Sequence, residues 1–489
     1  MPQATQETTC IRAADWVIAY DAHEAGHVYL RGADVAFAGS TIVHVGDRFQ
    51  GKVDREVPGA GKLIMPGLVN VHGHLGTEPL GKGFFEDLGN PNHYMSRLYE
   101  FIYVVRPPDA ATRRAATRLS VAELLLSGCT TVADMSIPYA GWAETFAETG
   151  VRAYLAPMFK SASWVVRNDH DIEYEWDEAA GERDFAQALE VIEAARADSC
   201  GRLGGIVMPA QSDTCTPALL VAAHRAARER GFPYQVHSGQ SVPEFHEMIR
   251  RHGKTSTQFL RDLGVLGPGT TVAHSLFIDR HPWIRWHEHR DVGILAETGT
   301  SVAHCPMTFA YRGSQMHDFG TYQKAGINMA LGTDTHPHDM VSEMRTALFA
   351  AKAAKGHVSH TRTEDVFRAA TLGGAAALGR DDLGRLAPGA KADLVVVDTR
   401  HPAMQPCRDP LRSFIYAAGD RAVTDVFVDG RPVIADRAHL TIDVAQAVSE
   451  VERGHAQAMR EVAGRDWARR DHLEVSPLSL RTTRAADLA

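Results

Sequence analysis

Short runs of hydrophobic residues alternate with polar turns near both ends of the chain. From about Ile11 to Glu56, and again after about Leu383, apolar stretches are separated by Gly and Asp, and Asp429-Gly430 is typical of a hairpin turn. This pattern predicts antiparallel strands. We expect the two end segments to form one composite β-sandwich domain, with the middle of the chain inserted between them.

The middle of the chain alternates strand patterns with helix patterns, which predicts an α/β fold. Helical spacing of apolar residues before Gly128, for example, is followed directly by a predicted strand. The eight predicted strands are 68–71, 130–135, 152–157, 205–208, 234–237, 271–274, 301–304 and 329–334. Their number and alternation predict a (β/α)8 TIM-like barrel. An open doubly wound sheet is the alternative, but its ligand crevice lies at one switch point, whereas polar residues here close several strands.

The same patterns divide the chain into four segments. Residues 1–61 and 381–440 are predicted to form the two parts of the β-sandwich, and residues 62–380 the barrel. Residues 441–489 contain a predicted helix from 442 to 470, which has an apolar face, and then a polar tail.

Composition favours an ordinary globular protein. The chain has 489 residues, of which 44% are hydrophobic and 23% charged, and its formal net charge is -9. An acidic balance argues against nucleic acid as a partner, because phosphate binding needs a basic surface. We find no export signal and no apolar run long enough to cross a membrane. The six cysteines include no CxxC pair, which indicates reduced thiols and a cytoplasmic protein.

Two histidines close the first predicted barrel strand. His72 and His74 follow an apolar run, and residues two apart in an extended chain point to the same face, so both imidazoles can bind one metal ion. His237 and Asp334 each close another strand. Three neutral imidazoles and one carboxylate suit zinc and leave a position for water, so we predict these four residues as metal ligands. His274 closes a further strand and is predicted to hydrogen-bond the attacking water.

Several motifs resemble those of the amidohydrolase superfamily, within it the cytosine deaminase-like and triazine hydrolase-like group. They are Pro66-Gly-Leu-Val-Asn-Val-His-Gly-His74, Ala122-Glu-Leu-Leu-Leu-Ser-Gly-Cys-Thr-Thr-Val-Ala-Asp134, Val236-His237, Ala273-His274, Ala303-His-Cys-Pro306, Gly332-Thr-Asp334 and Gly389-Ala-Lys-Ala-Asp-Leu-Val395. The resemblance implies a (β/α)8 barrel inserted in a β-sandwich, one divalent metal, and hydrolysis at a carbon bonded to nitrogen, less often to chlorine. The two-metal relatives carry a lysine at the end of the fourth strand, and this chain has none there, so we expect a single ion, zinc in preference to iron, cobalt or manganese.

Two departures from the pattern of the resembled group bear on the substrate. Ring deaminases of the group carry His-x-x-Glu, whereas this chain has His237-Ser-Gly-Gln240, and glutamine has no proton to transfer. We expect Glu244, one turn further on, to be a solvated helix residue rather than a substitute acid. The polar His-Cys-Pro-x-Ser-Asn motif becomes His304-Cys-Pro-Met-Thr-Phe309, which predicts a more apolar pocket. The predicted substrate contacts are Gln240, His304, Phe309 and His336.

The predicted function is hydrolysis of an amide, urea or (thio)carbamate in a small, partly apolar molecule. Asp334 would take a proton from the attacking water and return it to the leaving nitrogen, and His274 would orient that water. The alternative is a deaminase or dechlorinase of a heteroaromatic ring, such as a nucleobase, pterin or triazine. A non-catalytic ligand-binding barrel is a third hypothesis, which the full set of predicted site residues disfavours. We expect a homo-oligomer, a dimer or higher, with no nucleic-acid or membrane partner.

Overall fold

The structure is a computed structural model, which describes residues 7–316 and 319–484. Its strands are β1 Thr8–Ala14, β2 Trp16–Asp21, β3 Gly26–Leu30, β4 Ala33–Ala38, β5 Thr41–Gly46, β6 Arg55–Pro58, β7 Lys62–Pro66, β8 Leu68–Gly73, β9 Cys129–Ser136, β10 Arg152–Phe159, β11 Ala162–Val165, β12 Glu173–Trp176, β13 Leu203–Gly205, β14 Met208–Pro209, β15 Tyr234–Ser238, β16 Thr270–His274, β17 Ser301–His304, β18 Met329–Leu331, β19 Leu394–Asp398, β20 Val423–Val428, β21 Arg431–Ala435 and β22 Ala438–His439.

Helices fill most of the connections between the strands. The α-helices are α1 Leu98–Phe101, α2 Ala110–Leu126, α3 Trp142–Thr149, α4 Glu178–Arg196, α5 Pro217–Arg230, α6 Val242–His252, α7 Ser256–Asp262, α8 Asp291–Thr298, α9 Pro306–Ala310, α10 Phe319–Lys324, α11 Met340–Lys355, α12 Thr363–Arg368, α13 Gly374–Ala377, α14 Pro410–Ser413, α15 Val444–Arg465 and α16 His472–Val475. Within the described residues, none of these helices is long and apolar enough to cross a membrane.

Strands from the two ends of the chain share one β domain. Its sheets have the orders β5-β4-β1-β6 and β22-β21-β20-β19-β7-β2-β3. The N-terminal β7 pairs antiparallel with the C-terminal β19, with Pro66 opposite Leu394. Alternate apolar side chains from both sheets, such as Ile11 and Phe427, pack into one core. Strand Lys62–Pro66 therefore lies in the sandwich sheet, although the sequence pattern placed it at the start of the barrel; the other predicted boundaries stay predictions.

Parallel strands of the middle region form the predicted barrel. One sheet runs β13-β10-β9-β8 with β14 beside β10, and a second runs β15-β16-β17-β18. Bridges between Val207 and Tyr234 and between Gly73 and Asp334 join the two sheets at both seams. The fourth strand is split into β13 and β14, which are short. The predicted (β/α)8 barrel with an added β domain is confirmed.

Close packing at the second seam depends on a glycine. A Cβ atom on Gly332 would lie 2.6 Å from the Cβ of His72, closer than two such carbons approach. The missing side chain lets the last barrel strand lie against the first. Two backbone hydrogen bonds then join the strands, because Asp334 N donates to His72 O at 2.8 Å and His74 N donates to Asp334 O at 3.0 Å.

The C-terminal helix packs on the barrel. Val451, Ala458 and Val462 of α15 lie in one apolar cluster with Leu80 and other residues of the long loop after β8. The predicted helix from 442 to 470 is shorter in the structure, where it ends at Arg465. Residues 485–489 of the predicted tail lie outside the described part of the chain.

A candidate metal centre and active site

The first two histidines are fixed by hydrogen bonds at their outer nitrogens. His74 Nδ1 lies 2.6 Å from the carbonyl oxygen of Met135, and His72 Nδ1 lies 2.6 Å from the Oε1 of Gln235. The amide nitrogen of Gln235 donates to Val71 O at 3.2 Å, which orients its oxygen toward His72. Because these partners accept hydrogen bonds, each Nδ1 carries the proton and each Nε2 keeps a free lone pair.

His237, on the opposite side of the barrel, is also fixed by a hydrogen bond at its Nδ1 atom. Its Nδ1 donates to the carbonyl oxygen of Ala210, so its Nε2 also keeps a lone pair. The imidazole of His237 lies with its ring centre 4.7 Å from that of His72 and 5.6 Å from that of His74. The lone pairs of three Nε2 atoms, from the end of β8 and from β15, therefore point toward one common space.

Asp334 and His274 complete the cluster. The Oδ1 of Asp334 is 3.6 Å from His72 Nε2 and 3.3 Å from His74 Nε2. Two groups of three residues bring their potential ligand atoms within 4.8 Å of one another. The first group is His72, His74 and His237, and the second is His72, His274 and Asp334. The sequence predicted His274 as an outer group, whereas its position here also allows it to contact the ion directly.

The donor set fits a divalent cation. His72 is 0% exposed, and its Nε2 has no hydrogen-bond partner in the described residues. A buried nitrogen without a hydrogen-bond partner costs folding free energy. A cation bound among the neutral imidazoles and the carboxylate would accept its lone pair. His274 Nδ1 is likewise buried without a partner within 7–316 and 319–484.

Burial and neighbouring charges set the protonation of the cluster. Burial lowers the pKa of His274 to about 3. Burial and the adjacent imidazoles lower the pKa of His237 well below its usual value. Burial alone would raise the pKa of Asp334, but the adjacent imidazoles of His72 and His74 hold it well below its usual range. Neutral imidazoles and an ionised carboxylate are the forms that bind metals.

The backbone at two of these residues has an unusual conformation. Asp334 has φ 55° and His274 has φ 78°, in the left-handed region that side chains with a Cβ seldom adopt. Both residues lie where a barrel strand ends. Such conformations cost free energy and occur at sites where the surrounding structure fixes a functional group, which agrees with the position of both side chains in the cluster.

Known proteins provide an independent comparison. A sequence profile described as the amidohydrolase family matches residues 63–433. This chain belongs to the amidohydrolase family. A 5-methylthioadenosine/S-adenosylhomocysteine deaminase of Natronomonas pharaonis is 30% identical over 441 residues, which cover 89% of this chain and 96% of that protein. A 5'-deoxyadenosine deaminase of Methanosarcina mazei is 27% identical over 425 residues, which cover 86% of this chain and 92% of the relative.

Solved structures agree with this fold. An adenosine deaminase from Xanthomonas campestris with bound zinc has a TM-score of 0.77 at 26% identity, over 92% of this chain and 98% of that one. The zinc complex of an atrazine chlorohydrolase from Arthrobacter aurescens has a TM-score of 0.76 at 20% identity, over 91% of this chain and 100% of that one, and this likeness concerns the fold. The amidohydrolase described here is a metal-dependent hydrolase of carbon-nitrogen bonds other than peptide bonds, and its substrate is a small molecule.

Of the predicted substrate contacts of the amidohydrolase, Phe309 packs against the cluster, and Gln240 lies in the loop just after His237. The Phe309 ring packs edge-on against His274, with ring centres 5.1 Å apart. Gln240 follows the strand that carries His237, is 6% exposed, and its side-chain Nε2 has no partner in the described part of the chain. A buried donor without a partner is available to a substrate acceptor. Both assignments stay predictions.

The other two predicted contacts have different surroundings. His304 ends β17, and its ring contact among the described residues is with Phe319 at 5.8 Å rather than with the imidazole cluster. His336 lies between two carboxylates, with Nδ1 3.4 Å from Glu78 Oε2 and Nε2 3.0 Å from Glu86 Oε1. Burial opposes protonation, but the two neighbouring carboxylates raise the pKa of His336 to about 9. His336 is therefore a positively charged residue between Glu78 and Glu86, and its contact with substrate stays a prediction.

The expectation of a solvated Glu244 was wrong. The side chain is 0% exposed and accepts hydrogen bonds from the backbone N–H groups of Gly239 and Gln240, both at 2.8 Å. The hydroxyls of Ser212 and Ser256 also donate to it, at 2.9 Å and 2.8 Å. Burial, with Asp213 nearby, raises the pKa of Glu244 to about 7. The carboxylate anchors the loop that carries Gln240.

A sequence signal for this role was present. Glu244 follows Ser241 by three positions, and Glu244 N donates to Ser241 Oγ at 3.0 Å at the start of α6. A serine followed by a glutamate at this spacing marks a helix N-terminus, where the glutamate turns back toward the preceding loop. Sequence reasoning also missed Gln235, although its position two residues before His237 places it on the same face of β15.

Proposed function

We propose that this amidohydrolase cleaves the carbon-nitrogen bond of an amide, urea or (thio)carbamate in a small, partly apolar molecule. One observation carries the choice of substrate. Gln240 is at the position where a ring deaminase of the resembled group has a glutamate, and its buried Nε2 faces no acceptor among the described residues. An amide can donate a hydrogen bond to a substrate, but it cannot transfer a proton to a ring nitrogen.

The metal ligands in this proposal are His72, His74, His237 and Asp334. When bound, a divalent ion such as zinc lowers the pKa of water and polarises the carbonyl group of the substrate. Zinc is favoured by the nitrogen-rich donor set and by the zinc in the related structures, with iron, cobalt and manganese as alternatives. Hydrogen bonds at the Nδ1 atoms hold the imidazoles in the ligand tautomer.

Two residues act on the reacting atoms. Ionised Asp334 accepts a proton from the attacking water and returns it to the leaving nitrogen, so that nitrogen departs as a neutral amine. His274 is neutral, since burial lowers its pKa to about 3, and it orients the water by a hydrogen bond. Phe309 forms an apolar wall against His274. This sequence of proton transfers needs no second carboxylic acid, which agrees with glutamine at position 240.

A second candidate is deamination of an amino-substituted ring in a nucleoside-like molecule. The names of the relatives at 26% to 30% identity favour it, because they are deaminases of adenosine, 5'-deoxyadenosine and 5-methylthioadenosine. In this chain the proton for the ring nitrogen would have to come from a residue other than Gln240. Glu244 is a poor source, because its carboxylate is already held by four hydrogen bonds.

Product analysis distinguishes the two candidates. The zinc-loaded protein is incubated with acetanilide, N,N-dimethyl-N'-phenylurea, adenosine and 5-methylthioadenosine, and both amine and ammonia are measured. The dimethylurea has no route to ammonia, so aniline release from it reports amide-type cleavage alone. We expect metal-dependent aniline release. Ammonia from the nucleosides with no aniline from the other two compounds would reject the proposal in favour of ring deamination.

The Gln240→Glu variant supplies a matched comparison. We expect little change in amide cleavage and no large gain in nucleoside deamination. A large gain in deamination would show that the site is built for ring substrates and lacks only the acid.

We further propose a cytoplasmic location and a homo-oligomeric state. All six cysteines are free thiols, which is typical of a reducing compartment. Size-exclusion chromatography with light scattering measures the oligomeric state directly.

A further inference from the structure

Several charged residues surround the mouth of the site, and most of them are paired. Glu78 Oε2 lies 3.4 Å from Arg97 Nη2 and 3.4 Å from His336 Nδ1. Glu86 pairs with the other nitrogen of His336. The Arg312 side chain differs from these, because it forms no hydrogen bond or ion pair with any residue in 7–316 or 319–484.

Arg312 lies close to the reacting groups. It follows α9 in the loop after β17, and its guanidinium carbon is 5.7 Å from the ring centre of Phe309. That ring in turn packs on His274 at 5.1 Å. One aromatic side chain therefore separates the guanidinium from the imidazole of His274, a distance that a substituted benzene ring can span.

The surroundings of Arg312 disfavour an unpaired positive charge. Burial and the nearby charge of Arg97 lower the pKa of Arg312 to about 10, although Asp334 and Glu78 oppose this effect. The group still carries its proton at neutral pH. A partly buried guanidinium beside a second cation costs free energy unless an anion approaches it. Of the two carboxylates that act on Arg312, Glu78 is already engaged by Arg97 and His336, and Asp334 lies among the imidazoles of the cluster.

We propose that Arg312 binds a carboxylate of the substrate, so that the molecule cleaved carries an acid group on its apolar part. A single positive charge that has no ion-pair partner among the described residues matches a monoanion, and the planar guanidinium can donate two parallel hydrogen bonds to a carboxylate. Phe309 would contact the apolar part between the acid group and the scissile bond. This inference rests on the proposed function and names the substrate class of the same site.

A pair of probes that differ only in charge tests the inference. They are 4-(3,3-dimethylureido)benzoate and the corresponding benzamide, each supplied to the zinc-loaded protein. If the probes are cleaved, KM and kcat are measured from amine release; if they are not, dissociation constants are measured by calorimetry. Either measurement gives a ratio of acid to amide affinity. The wild-type protein is compared with Arg312→Gln, Arg312→Lys and, as a matched loss of one charge, Arg280→Gln, an exposed arginine after β16.

We expect the wild-type protein to bind the acid roughly 10- to 100-fold more tightly than the amide, as a charge-assisted bidentate contact implies. In Arg312→Gln the ratio should fall to about one through KM or the dissociation constant. Arg312→Lys should keep part of the preference and Arg280→Gln all of it. An equal ratio in wild type and Arg312→Gln, or no binding of the acid, would overturn the inference. Binding of the acid without any cleavage would support Arg312 as the anion site and count against the proposed function alone.

Discussion

Two buried charged clusters lie at opposite ends of the barrel strands, and they differ in one respect. Arg152 begins β10, is 2% exposed, and its guanidinium contacts Asp393 at 2.8 Å and Asp429 at 3.0 Å. All of its close partners are charged and hydrogen-bonded, and they join the barrel to the sandwich. The histidine cluster lies where the strands end, and it contains buried nitrogens without partners among the described residues.

The difference separates a structural role from a chemical one. In (β/α)8 barrels the face at the strand beginnings serves stability, and the face at the strand ends carries the active site. The Arg152 cluster is satisfied within the protein, so it needs nothing from outside. The histidine cluster is completed only by an ion and a substrate. We therefore expect substitutions at the two ends to separate stability from activity.

The largest effect should follow from loss of the carboxylate at position 334. Asp334→Ala removes one proposed ligand and the proposed proton carrier together, so turnover should fall on the order of 10³-fold or more. Bound metal, measured by elemental analysis, should fall as well. Circular dichroism should show an intact fold, because the imidazoles keep their hydrogen bonds at Nδ1. Turnover within tenfold of wild type would contradict the assignment of Asp334.

The next effect concerns stability rather than turnover. Arg152→Met leaves the buried Asp393 without its cation and removes one of two cations beside the half-buried Asp429, which keeps Lys391 Nζ at 3.7 Å. The free energy of unfolding should therefore fall by about 3–5 kcal/mol. Urea titration measures this change. Metal content and kcat per folded molecule should stay at the wild-type values, because the cluster lies at the opposite end of β10. Loss of metal with unchanged stability would show that the two ends are not independent.

A smaller effect is expected beneath the metal centre. Gln235→Leu removes the acceptor for His72 Nδ1, so the preferred tautomer is no longer fixed, and metal affinity should fall roughly 10- to 100-fold. Competition with a chelator measures the affinity. Gln235→Glu keeps an acceptor at this position and should keep most of the affinity. Equal losses in both variants would indicate that packing, rather than the hydrogen bond, holds His72.

The parts of the site that lie on strands could be predicted from sequence. His72, His74 and His237 close apolar runs, and the ends of parallel strands converge at one face of a barrel, so local pattern and fold class together bring them near one another. The direct approach of His274 to the same donor atoms could not be predicted. It depends on the strand end turning through a positive φ, which no local pattern in the sequence indicates.

The parts of the site that depend on the paths of loops could not be predicted from the sequence. Arg312 lies near Phe309 because the loop after β17 turns back over that ring. Glu244 is buried because the loop before α6 folds onto the helix. The apolar pattern of Lys62–Pro66 fits either sheet, so the sequence pattern alone does not distinguish the sandwich from the barrel. Its pairing with residues near 394 is set by long-range contacts, which a local pattern does not contain.

The smallest effect should come from a charged pair in contact with water. Arg118 Nη2 lies 2.8 Å from Glu148 Oε2, as close as the Arg152 pair, but 61% of the Glu148 side chain is exposed. Water already solvates both charges, so Arg118→Gln should change the free energy of unfolding by less than about 1 kcal/mol. Urea titration beside Arg152→Met makes the comparison. Similar losses of unfolding free energy in the two variants would mean that the number of ion pairs, and not their burial, governs stability. Burial of the Arg152 cluster would then not explain its structural role.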